Sequence, residues 1–180
     1  YMYATSFMHR DNRQLAKVRA ILEDIMPYAD DRVREYALSK IPLAWYFEAA
    51  EYHLSQQYDK ALACYQNALK GFIELRKTDD EISVLRHIAE IKEILYDVTG
   101  SENAYKQALY LSRQTGKSDA QMEILKELWK IGKTIGDVQQ AQAYAASIDS
   151  LVDATSDLQT KYTYYNQKGN EARDLGQYGI

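Results

Sequence analysis

The sequence predicts an all-α fold, a solenoid of antiparallel helix pairs, and three observations carry that expectation. Residues Trp45, Ala49 and Tyr52 fall at i, i+4 and i+7 on one helical face, and Ala61, Tyr65 and Ala68 repeat the spacing on a second helix. Between them, Ser55-Gln56-Gln57 is polar and too short to let the helices separate. Alanines then permit close approach of the backbones while the aromatic rings fill the remaining space. From Trp45 onward the pattern recurs every 40 residues. Trp45, Leu85, Leu125 and Tyr165 superpose, as do Ala49, Ala89, Trp129 and Gly169, Ala68 and Ala108, and Ala61, Ser101 and Ala141.

Taken in order, residues 1–10 read as the tail of a helix, and Asp11 or Asn12 caps a second with Leu15, Val18, Leu22 and Ile25 on one stripe. Met26-Pro27 ends it. Asp30-Asp31 opens the next helix, through Val33, Tyr36, Ala37 and Lys40. Pro42 marks either a kink or a fresh start there. Residues 1–41 are thus degenerate N-terminal helices, followed by repeats over 42–77, 78–117 and 118–155. Residues 156–180 supply the first helix of a further repeat, so the parent chain is expected to continue past Ile180. Thr78-x-x-Glu81, Ser118-x-x-Gln121 and Ser156-x-x-Gln159 read as capping boxes ahead of first helices. Gly100-Ser101 and Gly136-Asp137 read as turns inside pairs.

Composition bounds the chemistry. In 180 residues there are two prolines and eight glycines, which suits helices joined by short turns. No apolar run approaches the roughly 18 residues of a membrane span, and a formal charge of −4 gives no reason to expect nucleic acid or an anionic membrane. The opening Tyr1-Met2-Tyr3 lacks the cationic and apolar parts of a signal peptide. Cys64, the one cysteine, cannot form an internal disulfide and sits where a small buried hydrophobe belongs. His9, His53 and His87 have no His or Cys partner at ligand spacing, although His53 and His87 lie on first helices of adjacent repeats and can approach one another. Thr115-Gly116-Lys117-Ser118 echoes the end of a phosphate loop but lacks its upstream glycine and strand, so it reads as a turn plus a cap. No Gly-x-Ser-x-Gly elbow occurs. No catalytic, cofactor-binding or metal-binding residue is assigned, and no enzyme activity is expected.

Trp45, Ala49 and Tyr52 with Tyr58-x-x-Ala61-x-x-x-Tyr65-x-x-Ala68-Leu69 resemble the tetratricopeptide repeat (TPR) family, with Glu48 where that family usually has an aliphatic residue. The resemblance implies a right-handed superhelix whose first helices line a concave groove. By register, the groove face carries Leu43, Tyr46, Ala50 and His53, then Ser83, Arg86, Glu90 and Glu93. It continues with Glu123, Lys126, Lys130 and Lys133, then Thr163, Asn166, Asn170 and Arg173. Lys126, Lys130 and Lys133 form a like-charged stripe, which costs a helix a few tenths of a kcal/mol per pair, about the size of one favourable pair. With Arg86, Asn166, Asn170 and Arg173 they resemble the carboxylate clamps of some TPR domains. A solvated lysine face neutralised by Glu123 and Glu127 is the plainer explanation. The expected function is therefore a non-catalytic protein-interaction module for a protein or peptide segment of acidic character, with self-association through the C-terminal end as a further expectation. Forty-residue repeats also resemble the sensor portions of bacterial regulators, the alternative function.

Overall fold

The computed structural model describes residues 12–174, with side chains described for 16–166 and 168. The expectations for residues 1–11 and for the stretch beyond Asp174 lie outside the described residues, and that for Leu15 outside the described side chains. Among those described there are eight α-helices, one 3₁₀ turn and no strand. The helices are α1 (Asn12–Ile25), α2 (Asp31–Leu54), α3 (Tyr58–Glu74), α4 (Thr78–Ile94), α5 (Val98–Gln114), α6 (Ser118–Ile135), α7 (Val138–Ala154) and α8 (Leu158–Asp174). The chain divides into two compact units, 1–116 and 117–180. In the first, α1 packs on α2, α2 on α3, α3 on α4 and α4 on α5; in the second, α6 packs on α7 and α7 on α8. No helix among the described residues is long and apolar enough to cross a membrane.

From α3 onward the helices start at 58, 78, 98, 118, 138 and 158, one every 20 residues. The 40-residue repeat therefore consists of two halves of equal length. The turns explain the regularity. Gln56, Arg76, Tyr96, Gly116 and Gly136, again 20 apart, all hold positive φ. Each of the first three donates its N–H three residues back, and its successor donates five back: Gln56 to His53 (3.0 Å) and Gln57 to Tyr52 (2.8 Å), for example. Gly136 and Asp137 repeat the pair onto Lys133 and Gly132. This closure of the C-terminal carbonyls leaves a single non-helical residue, with ψ of 65° at Gln57 and 70° at Lys77 and Asp97, before the next helix.

That geometry corrects two expectations. Thr78 and Ser118 are the first residues inside their helices, and the cap positions are Lys77 and Lys117, neither of which makes a side-chain capping hydrogen bond. Before α8, Asp157 rather than Ser156 accepts from the backbone N–H groups of Gln159 and Thr160. The turn consumes the residue that a capping box needs, so the boxes at Thr78, Ser118 and Ser156 do not form. Nor does Gly100-Ser101 make a turn. Both lie in the first turn of α5, and Tyr96 takes the left-handed position instead. Side-chain caps occur where an aspartate occupies that single linking residue. Asp97 accepts from Gly100 and Asp137 from Gln140, each at 2.9 Å.

Met26-Pro27 ends α1 in the 3₁₀ turn Met26–Tyr28, and Asp30 caps α2 by accepting from Val33 at 2.9 Å. Pro42 neither starts nor ends a helix: α2 runs through it, so the 41/42 boundary falls inside one continuous 24-residue helix. Its ring is buried against Gly71 of α3, where any Cβ would collide with it.

Close packing rests on the alanines anticipated from sequence. Ala49, Ala61, Ala68, Ala89 and Ala108 are wholly buried around Tyr65 and Tyr105. Glu48, where the resemblance implies an aliphatic residue, is buried beside Arg19 of α1 (3.3 Å), whose guanidinium lies 3.5 Å from the Trp45 ring centroid. An aliphatic residue there would leave Arg19 without this partner. In the second unit Ile124, Leu125, Leu128 and Ile131 of α6 meet Ile148 and Val152 of α7 in the core. Full burial of each such side chain contributes about 1.5–3 kcal/mol. A Cβ on Gly132 would stand 3.3 Å from Ala141, so a glycine lets α6 and α7 approach closely.

Candidate functional site

Within the second unit, α6, α7 and α8 enclose a pocket of about 280 Å³ lined by Lys126, Glu127, Trp129, Lys130, Ala145, Ile148, Tyr164 and Lys168. Its apolar wall comes from three helices: Trp129 from α6, Ala145 and Ile148 from α7, and Tyr164 from α8. Three lysines, Lys126, Lys130 and Lys168, line the pocket beside that wall. Lys130 is held by Glu127 (2.8 and 3.0 Å), and Lys168 by Asp149 (2.6 and 2.8 Å). The Tyr164 hydroxyl also donates to Asp149 at 2.9 Å. Hydrogen bonding from Lys168 holds the Asp149 carboxyl below its ordinary pKa, assisted by Tyr164 and opposed by slight burial. Lys126 has no ion pair among the described residues. Three lysines against Glu127 and Asp149 leave one positive charge in excess.

The residues singled out by sequence are distributed unevenly. Lys126 and Lys130 line the pocket. Lys133 is exposed, its ammonium 4.5 Å from the Trp129 ring centroid, outside the lining. Asn166 is exposed on α8 and also outside it. The side chains of Asn170 and Arg173 lie outside the described residues. Arg86 belongs to the first unit, half-buried on α4, where its charge favours the ionised form of Glu90.

Trp129, Ile148, Tyr164 and Lys168 were not singled out as site residues. One signal was present in the repeat register: Trp129 stands where Ala49 and Ala89 are wholly buried. An indole cannot occupy the space of a methyl group, so the ring is displaced to a half-exposed position and forms a wall. The contributions of α7 carried no such signal.

In the first unit a second group of polar side chains converges. Glu90 Oε2 lies 3.0 Å from His87 Nδ1, and the Tyr46 hydroxyl lies 3.1 Å from His87 Nε2. Tyr65 stacks on the His87 ring, with centroids 5.3 Å apart and planes at 17°, and His53 stands edge-on to it at 6.3 Å. His53, His87 and Glu90 each present one metal-ligating atom within 4.8 Å of the others. Burial pushes the His53 pKa down, against the carboxylate of Glu90, which raises it. Burial also acts to raise the Glu90 pKa, but the hydrogen bond from His87 and nearby positive charge leave it below its usual value.

A larger and shallower depression of about 520 Å³ lies across α3, α4 and α5, with Leu69, Ile73, Leu85, Tyr110 and Leu111 in its lining. Its one lysine, Lys106, is paired with Glu102 at 2.8 Å, so no cations converge there.

No family model matches the chain, and no curated protein matches it. Among solved structures, the crystal structure of BtubC (BKLC) from P. vanneervenii is similar, with a TM-score of 0.55 and 15% sequence identity. The match covers 99% of this chain and 89% of that one. At this identity the similarity is one of fold, a succession of paired helices.

Proposed function

We propose that the protein is a non-catalytic interaction module, a TPR-like right-handed solenoid that binds a partner's acidic segment through the α6–α8 pocket. One observation carries the reading: three lysines line the same pocket as the apolar side chains of Trp129, Ala145, Ile148 and Tyr164. A solvated lysine face needs no such wall. A segment with an aliphatic or aromatic residue flanked by carboxylates satisfies both halves of the pocket, the apolar group against Trp129 and the acids on Lys126, Lys130 and Lys168. Lys130 and Lys168 exchange their internal carboxylates for those of the ligand, so specificity for acids exceeds the net affinity gained from them.

The test is calorimetric titration of the protein with acidic peptides that carry a central Leu or Trp, alongside peptides of the same length with the acids amidated. Binding is expected for the first set, weakening as salt is raised. Lys126→Glu with Lys130→Glu is expected to abolish it while helicity and melting temperature stay nearly unchanged. Affinity retained by that double variant would discard this binding mode.

A further inference from the structure

We propose that His53, His87 and Glu90 form a binding site for a divalent transition cation of the zinc class. The site lies wholly in the first unit and stands apart from the α6–α8 pocket. Its three ligating atoms already lie within 4.8 Å of one another, the closest pair 3.0 Å apart. Metal–nitrogen and metal–oxygen bonds of about 2.0–2.2 Å at tetrahedral angles separate ligand atoms by roughly 3.3–3.5 Å. The existing distances bracket that value. Closing the remaining gap requires only that the half-exposed His53 side chain, in the last turn of α2, swing toward His87.

The surroundings favour a metal over a chance meeting of polar groups. His87 and Glu90 are three residues apart on α4 and face the same side, so one helix presents two ligands together. The His87 ring is fixed by stacking on the buried Tyr65 and by its contact with the Tyr46 hydroxyl. With Nδ1 on the metal, Nε2 carries the proton and donates it to Tyr46, the outer-shell arrangement that orients ligating histidines. His53 on α2 supplies the second imidazole from the neighbouring helix, its ring edge-on to that of His87 with centroids 6.3 Å apart. Two imidazoles and one carboxylate select zinc, cobalt, nickel or copper over magnesium or calcium, which take oxygen ligands. Three protein ligands leave one tetrahedral position for water or for a carboxylate of a bound molecule.

The experiment titrates the metal-free protein with Zn²⁺ by calorimetry, and with Co²⁺ by visible absorption, which reports coordination number. One equivalent is expected to bind, with the intense cobalt bands of a four-coordinate site. His53→Ala and Glu90→Gln, each verified as folded by circular dichroism, are expected to weaken binding on the order of 100-fold or more. Tyr46→Phe is expected to weaken it by about 10- to 100-fold, the range for an outer-shell partner. His9→Ala is expected to leave it unchanged. Absence of saturable binding, or binding lost in His9→Ala and retained in both His53→Ala and Glu90→Gln, would overturn the assignment.

Discussion

Replacing Tyr96 by glycine and Gly136 by alanine perturbs the same backbone geometry in opposite directions. Both residues close a helix in the left-handed region, at φ of 60° and 78°. A residue with a Cβ is disfavoured there by about 1–2 kcal/mol. Glycine recovers that penalty but loses about 0.4–1 kcal/mol through the greater freedom of its unfolded chain. The difference predicts that Tyr96→Gly stabilises by about 0.5–1 kcal/mol and that Gly136→Ala destabilises by a similar amount. Side-chain contacts barely enter. Tyr96 is 90% exposed, and nothing lies within 4 Å of where a Cβ on Gly136 would stand. Urea unfolding followed by far-ultraviolet circular dichroism measures both changes. With a slope of about 2 kcal/mol per molar, the midpoints should move in opposite directions by a few tenths of a molar. A Gly136→Ala variant as stable as the parent, or a Tyr96→Gly variant less stable, would refute the shared-turn explanation of the 20-residue spacing.

Three further outcomes follow from buried or paired groups. Ser101→Ala should stabilise by about 1 kcal/mol, because the Ser101 hydroxyl is buried without a hydrogen-bond partner and the mutation removes an unsatisfied group; a lower urea midpoint would contradict it. Cys64 is 5% exposed and burial pushes its thiol up to about 11, so it should resist a disulfide reagent at pH 8 in the folded protein and react promptly in urea. Asp149 has a folded pKa below its unfolded value. Its contribution to stability is therefore present above the unfolded pKa of about 3.9 and disappears as pH falls through the lower folded value. Asp149→Asn should lose less stability than the parent between pH 7 and pH 3, by a small margin because the pair is largely solvated.

The helices were legible because each buries small and large residues at fixed spacing, and that periodicity survives without any knowledge of neighbours. Ala49, Ala61, Ala68, Ala89 and Ala108 were placed in contact positions by sequence and are wholly buried. Helix starts were less legible. Ser, Thr and Asp attract attention as caps, but the N-terminus here is dictated by the preceding turn, in which Gln56, Arg76 and Tyr96 adopt a conformation that glycine would announce. Pro42 was ambiguous because its tolerance inside α2 depends on Gly71, 29 positions later in the chain. Lys126 and Lys130 could be assigned to one helical face from spacing alone. That their neighbours include Ile148 of α7 and Lys168 of α8 depends on how three helices meet, which no single-helix pattern encodes.

A repeat protein reuses one packing solution, so chemistry has to enter where a copy departs from its siblings. Three departures fit that logic. Glu48, acidic and buried, is met by Arg19, a structural compensation that leaves no open surface. Trp129 replaces the alanine of Ala49 and Ala89, and its displaced ring becomes the wall of a pocket bordered by lysines. His87, 40 residues before Glu127, places an imidazole on α4 between Tyr65 and Glu90, with His53 of α2 alongside. The first departure is absorbed by a partner within its unit, whereas Trp129 borders a pocket and His87 brings together polar side chains of two helices. That difference separates a repaired core position from a site, and it directs mutagenesis to Trp129 and His87 before any residue that merely obeys the repeat.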